Sequence, residues 1–231
     1  MKSPHVALVF VFALLASVGA ARDVTAQSCP SSEMEFRAQG MFTSDAATFD
    51  STHAAFPTFR VAYDLVQGTV FVYHCCSLGI TSVETGDAYD VTGVAPGTPV
   101  SLVAELLVDG EVWDAGGCGG SGCSGSLGMS IEHGVEIEEY RFAPTLFGGA
   151  RLEFHGGIQL PVTIVAGVPE EIRFRLWGTR APGGSHGATG TGRIRFLGLA
   201  LGQSITSCHG YNADPTPVTD TSWGSVKAHY R

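Results

Sequence analysis

The feature that most constrains this chain is a long succession of short segments that alternate apolar with polar residues and are cut by glycine. Phe59-Arg60-Val61-Ala62-Tyr63-Asp64-Leu65 alternates, and beyond Gly68 the run Thr69-Val70-Phe71-Val72-Tyr73 is β-branched and aromatic, the composition that suits a pleated, half-buried surface. Residues 99–108 read as a strand after the turn Ala95-Pro96-Gly97, and Asp109-Gly110 reads as a hairpin turn before Glu111-Val112-Trp113. Residues 126–132 and 135–142 flank His133-Gly134 as a second hairpin, and 150–154, 160–165, 171–177 and 192–199 complete the set. Helical periodicity is absent from this part of the chain. Strands in series, with turns and no interleaved helices, predict an all-β domain: an antiparallel β-sandwich of jelly-roll-like character.

Two strands carry arginines on one face. In Ile172-Arg173-Phe174-Arg175-Leu176 and again in Arg193-Ile194-Arg195-Phe196, the apolar residues point one way and the arginines the other, which predicts one wet face. Between them, residues 178–190 are rich in Gly, Thr and Ser and read as a long loop. Glu136, Glu138 and Glu139 offer acidic partners for those arginines, as exposed cross-strand pairs worth about 0–1 kcal/mol each.

The N-terminus has Lys2, an apolar run over 6–18, small residues, and Val24-Thr25-Ala26, the pattern of a secretory signal peptide cut after Ala26. The run is shorter than the ~20 residues a membrane span needs. The predicted organisation is a signal peptide over 1–26, a sandwich domain over 27–211, and a linker and tail over 212–231, with no membrane span in the mature chain. The predicted location is secreted or cell-surface. Removal of 1–26 takes Lys2, Arg22 and Asp23 from 13 basic and 22 acidic side chains, leaving 11 and 21 and a formal charge of −10. That charge argues against a nucleic-acid partner, which needs a basic patch. It leaves an extracellular protein or a glycan as the expected partner.

All six cysteines, Cys29, Cys75, Cys76, Cys118, Cys123 and Cys208, follow the cleavage point, and an even number in an exported chain reads as disulfides. Cys118 and Cys123 are separated by Gly119-Gly120-Ser121-Gly122 and make the easiest local pair. Adjacent Cys75 and Cys76 favour distant partners, because a vicinal bridge strains the peptide between them. Cys29 and Cys208 are available for that.

No residue set carries a specific catalytic signature. Histidines His53, His74, His133, His155, His186, His209 and His229 lack metal-ligand spacing, and the cysteines lack zinc-knuckle spacing. Gly120-Ser121-Gly122 is a superficial match to a nucleophile elbow inside a cysteine-bounded run. Glu136 and Glu138 share a strand face, as a glycosidase pair would need to, but acidic strand faces are ordinary. Calcium is the one cofactor considered: Glu84, Asp87 and Asp90 lie around Gly86 in a segment that reads as a turn, set against the plainer reading of a solvated turn. Trp113 and Trp177, at strand ends, are the candidate stacking residues for a carbohydrate, with rim packing as their ordinary fate. In the tail, Ser222 would cap a short helix placing Trp223, Val226 and Tyr230 on one docking face.

The segment Gly198-Leu199-Ala200-Leu201-Gly202-Gln203-Ser204-Ile205-Thr206-Ser207-Cys208-His209-Gly210-Tyr211 resembles a group of secreted bacterial β-sandwich proteins of unknown function. So do the tail Thr221-Ser222-Trp223-Gly224-Ser225-Val226-Lys227 and the stretch Tyr89-Asp90-Val91-Thr92-Gly93-Val94-Ala95-Pro96-Gly97-Thr98-Pro99-Val100. The resemblance implies a secreted sandwich with a tag-like tail and carries no activity. The sequence therefore predicts a non-enzymatic structural, adhesive or assembly role. A carbohydrate-binding module is the first alternative and a hydrolase on a jelly-roll-like scaffold the second.

Overall fold

A computed structural model describes residues 29–36, 40–52, 59–75, 79–114, 125–146, 149–180 and 186–214. The described chain is all strand and turn: β1 (Ser32–Phe36), β2 (Gly40–Ser44), β3 (Thr48–Thr52), β4 (Phe59–Asp64), β5 (Thr69–Cys75), β6 (Gly79–Thr92), β7 (Pro99–Asp114), β8 (Gly125–His133), β9 (Glu136–Phe142), β10 (Arg151–Val165), β11 (Glu170–Arg180), β12 (His186–Leu197), β13 (Ser204–Ser207) and β14 (Asn212–Ala213). They form two antiparallel sheets packed face to face. The first runs β14-β13-β6-β11-β8-β9, with β1 on β6 and β2 on β1; the second runs β10-β7-β12-β5-β4-β3. Within these, β5 to β12 make the two quartets β10-β7-β12-β5 and β6-β11-β8-β9, the strand order of a jelly roll. β6 is long enough to be shared along one edge, by β1 over residues 81–84 and by β13 over 89–92.

Period-2 alternation builds the core. On β7, Val100, Leu102, Ala104, Leu106, Val108 and Val112 point inward; on β11, Ile172, Phe174 and Leu176 meet them from the other sheet, all 7% exposed or less. Each such side chain contributes about 1.5–3 kcal/mol by leaving water. Tyr89, Phe174, Phe196 and Tyr211 close one part of the core, with Tyr89 and Phe196 centroids 4.8 Å apart. Burial pushes the Tyr89 phenol well above its usual range. The Tyr211 hydroxyl donates to the Ile194 carbonyl at 3.3 Å.

Several expectations are corrected. Asp109-Gly110 is no hairpin: β7 runs unbroken from Pro99 to Asp114, paired throughout with β10 on one side and over most of its length with β12 on the other. Gly110 serves close approach there, since a Cβ would lie 2.4 Å from the Thr189 carbonyl oxygen. Residues 151–154 and 160–165 belong to one strand, β10, and there a Cβ at Gly157 would lie 2.7 Å from the Leu106 carbonyl oxygen. Most of the supposed loop over 178–190 is strand, because β11 ends at Arg180 and β12 starts at His186. The segment holding Glu84, Asp87 and Asp90 is strand β6, and three strands precede Phe59 where none was read. The arginines pair elsewhere than with β9: Arg173 with Glu84 and Glu171, Arg175 with Glu35, Arg195 with Glu105. The β8–β9 hairpin is where the sequence puts it, with Gly134 at φ 62°. The predicted tail helix and the signal segment lie outside the described residues.

Candidate functional site

Because even positions of β7 point inward, its odd positions build the outer face of the six-stranded sheet. Register sets the rows of that face. One row runs Glu153 (β10), Glu111 (β7), Thr189 (β12), Tyr73 (β5), Arg60 (β4), and the next runs His155, Asp109, Thr191, Phe71, Ala62, Asp50. β12 contributes only small outward residues in this region, Gly187, Thr189 and Thr191. It lies as a low strip between the Trp113-Glu111-Asp109 side and the Tyr73-Phe71 side.

Several charged groups on this face are held in pairs. Arg60 donates twice to Asp50, with Nε to Oδ1 at 2.9 Å, and its guanidinium lies 5.4 Å from the Phe71 ring centre. That hydrogen bond holds the Asp50 carboxyl below the usual carboxylate range. Arg151 donates to both Glu111 oxygens at 2.9 and 3.2 Å. His155 Nδ1 lies 2.9 Å from Asp109 Oδ1, and its other nitrogen lies 3.5 Å from Glu153; the Asp109 contact first, and the Glu153 contact second, raise the imidazole above its usual value. Beside Arg60 and Asp50 the face opens into a depression of about 350 Å³. Its outward lining includes Thr48, Asp50, Ala62, Asp64, Phe71 and Thr191. The depression combines hydroxyls, two carboxylates and an aromatic ring around a small-residue floor, a size and composition suited to a small polar ligand with an apolar face.

Trp113 sits on this face 5.8 Å from Tyr73, flat over Gly187, where an added Cβ would lie 2.0 Å from the indole. Arg151 lies 5.5 Å over its ring and Trp113 is only 7% exposed. Trp177 repeats the arrangement on the other sheet's outer face: it covers Gly128, Arg175 lies 5.3 Å over the ring, and it is 9% exposed. The two tryptophans are therefore on opposite faces and each is covered by an arginine. The sequence reading singled out Trp113 and missed Phe71, Tyr73, Arg60 and Asp50. Phe71 and Tyr73 were legible as the outward partners of Val70 and Val72, but nothing local said that they share a face with Trp113.

The three acids considered for calcium are not brought together. Glu84 and Asp90 lie on one face of β6 and Asp87 on the other, as a two-residue period demands. Each is already occupied. Glu84 takes Arg173; Asp90 accepts the Val91 and Gly167 amides at 2.7 and 2.8 Å. Asp87, buried, accepts Ser207 Oγ, the Ala88 and His209 amides, and sits 3.1 Å from His209 Nδ1. No group of three or more metal-ligating side chains occurs among the described residues. His74 is buried against Thr81 at 2.9 Å, and buried His186 lies 3.7 Å from Asp114, whose carboxylate also takes the Gly149 amide. Glu136 and Glu138 lie exposed on edge strand β9.

Cys29 bonds Cys208, so the two ends of the domain close on each other rather than on the central cysteines. Cys75 is disulfide-bonded as well. Cys76, Cys118, Cys123 and the tail residues Trp223, Val226 and Tyr230 lie outside the described residues. No described helix is long and apolar enough to cross a membrane.

No protein-family model matches the chain, and no curated protein matches it. Among solved structures it is similar to TmCBM61 in complex with beta-1,4-galactotriose, at 8% identity and a TM-score of 0.28, over 66% of this chain and 83% of that one. A likeness at that level transfers no residue correspondence.

Proposed function

We propose that this chain is an exported, non-catalytic binding domain whose six-stranded outer face holds a neutral polysaccharide. The observation that carries the reading is the depression on Phe71, with Arg60 and Asp50 locked together at its rim and Tyr73 continuing the aromatic surface beyond it, while Trp113 lies beneath Arg151. Sugars present an apolar C–H face and equatorial hydroxyls. An aromatic ring beside a fixed guanidinium–carboxylate pair answers both, and pairs locked in advance lose little side-chain freedom on binding. Retardation of the full chain in native gels containing soluble neutral polysaccharides is the test. At least one polysaccharide should retard it, and Phe71→Ala should weaken that binding about tenfold at unchanged stability. A chain that no neutral polysaccharide retards would sink the reading.

An assembly role is the second reading, favoured by edge strand β9. There Ile137 is 60% exposed, and Val135 in the preceding turn 99%, beside an edge that pairs only with β8. Ile137→Lys should abolish any self-association seen by sedimentation; a chain that is monomeric at every concentration rules this role out for β9.

A further inference from the structure

The outer face of the eight-stranded sheet carries an arginine that no described carboxylate neutralises. Arg60, Arg151, Arg173, Arg175 and Arg195 each lie against a carboxylate. Arg141, on β9, has none among the described residues; instead, Nε donates to Ser126 Oγ at 2.9 Å and Nη2 to Thr179 Oγ1 at 3.2 Å. Ser126 and Thr179 are buried and bonded to each other at 2.6 Å, so the guanidinium rests on a fixed hydroxyl pair. Arg193 also lacks an acidic partner among the described residues, but no side chain there holds it in place. Of its five N–H donors, Arg141 uses two on these hydroxyls. In a chain with 22 acidic side chains, Arg141 is thus held in place with no carboxylate against it among the described residues.

Its surroundings extend the site. Register puts Arg141, Gly128, Trp177 and Ser82 in one row across β9, β8, β11 and β6. Arg175 lies one outward position along β11 from Trp177, its guanidinium over the indole. It is only loosely satisfied: Nη2 reaches Ser82 at 3.5 Å and Glu35 at 3.6 Å, and Nε is buried without a hydrogen-bond partner. Two guanidinium groups therefore lie beside Trp177, and the buried Nε of Arg175 leaves its terminal nitrogens as the donors a ligand can reach.

We propose that this face is a second ligand site, for a polysaccharide bearing carboxylates. One uronate binds Arg141 through the planar, two-bond geometry that guanidinium and carboxylate share, and the next meets Arg175 across Trp177. Peptide carboxylates fit less well. An extended peptide gains its affinity by adding to a free strand edge; the free edge here is that of β9, two strands away from Trp177 and Arg175 on β11, so a peptide added there would not lie over them, and on the face itself only side chains read the ligand. Of the hydroxyls on this face, that of Ser130 is part-exposed and suits a sugar, whereas Ser126, Thr179 and Ser82 are buried.

The site is independent of the opposite face, and the test separates them. Tetragalacturonate titrated calorimetrically into the full chain at low ionic strength should bind. Arg141→Gln and Arg175→Gln should each weaken it about tenfold, while Phe71→Ala leaves it unchanged. The methyl-esterified oligomer should not bind. Ser126→Ala should weaken binding and Ser126→Thr restore it, which a merely folding role would not produce. Failure of tetragalacturonate to bind, equal binding of the methyl ester, or wild-type affinity in Arg141→Gln overturns the proposal. Tighter binding of hexaglutamate than of the oligouronate overturns its assignment to sugars.

Discussion

Gly110 and Gly134 show what a single position can decide. Both stand where a turn would be read, after Asp109 and His133, yet only Gly134 turns the chain, at φ 62° with open space around it. Gly134→Ala should cost about 1–2 kcal/mol, the left-handed penalty. Gly110→Ala drives a methyl group into backbone that cannot yield and should cost about 3 kcal/mol, read as a larger drop in urea midpoint. His155 makes a prediction about pH. Its folded value is raised above the usual 6.5 by Asp109 first and Glu153 second. Its contribution to stability is therefore full below about pH 6.5 and lost as pH rises through the folded value. Because the side chain is well exposed, that contribution is small. An NMR titration should place His155 above 6.5 and Asp109→Asn should bring it down; an unchanged midpoint would contradict the assignment.

At the scale of elements, alternation told which residues of a strand point inward but not where strands end. Asp-Gly signals a hairpin only if the segments it joins pair with each other, and both halves of β7 pair instead with β10 and mostly with β12. Glycines at 156, 157, 187 and 190 suggested loops for the same reason; in place, they make room for the Phe154 ring, the Leu106 carbonyl, the Trp113 ring and the Leu127 side chain. Besides its ladder to β6, the end of β13 is tied down by one buried carboxylate. Asp87 takes Ser207 Oγ and the His209 amide, and Cys208 donates to the Ala88 carbonyl beside it. Asp87→Ala leaves these donors without a partner and should cost about 3 kcal/mol. Hydrogen exchange should then rise first in β13 and β14; exchange that rises uniformly would mean that the carboxylate holds no local latch.

For the molecule as a whole, the decisive long-range tie is Cys29–Cys208, which closes 179 residues of sequence separation. Chain-entropy reasoning puts its loss at about 5 kcal/mol. The Cys29→Ser, Cys208→Ser double variant should unfold at markedly lower denaturant concentration with little change in the spectrum of the folded state. An unchanged midpoint would show that β1 and β13 are held by pairing alone. What the sequence by itself determined is the all-β class, the inward and outward face of most strands, the β8–β9 hairpin and the presence of disulfides. These follow from the two-residue period of the strand and from residue chemistry, both local. Only the tertiary structure decided which arginine meets which acid, that Trp113 and Trp177 lie on opposite faces under arginines, and that Arg141 stands apart from every described carboxylate. Those outcomes depend on register between segments far apart in sequence, as when Arg151 reaches Glu111, 40 residues away, and no period within a single strand encodes that register.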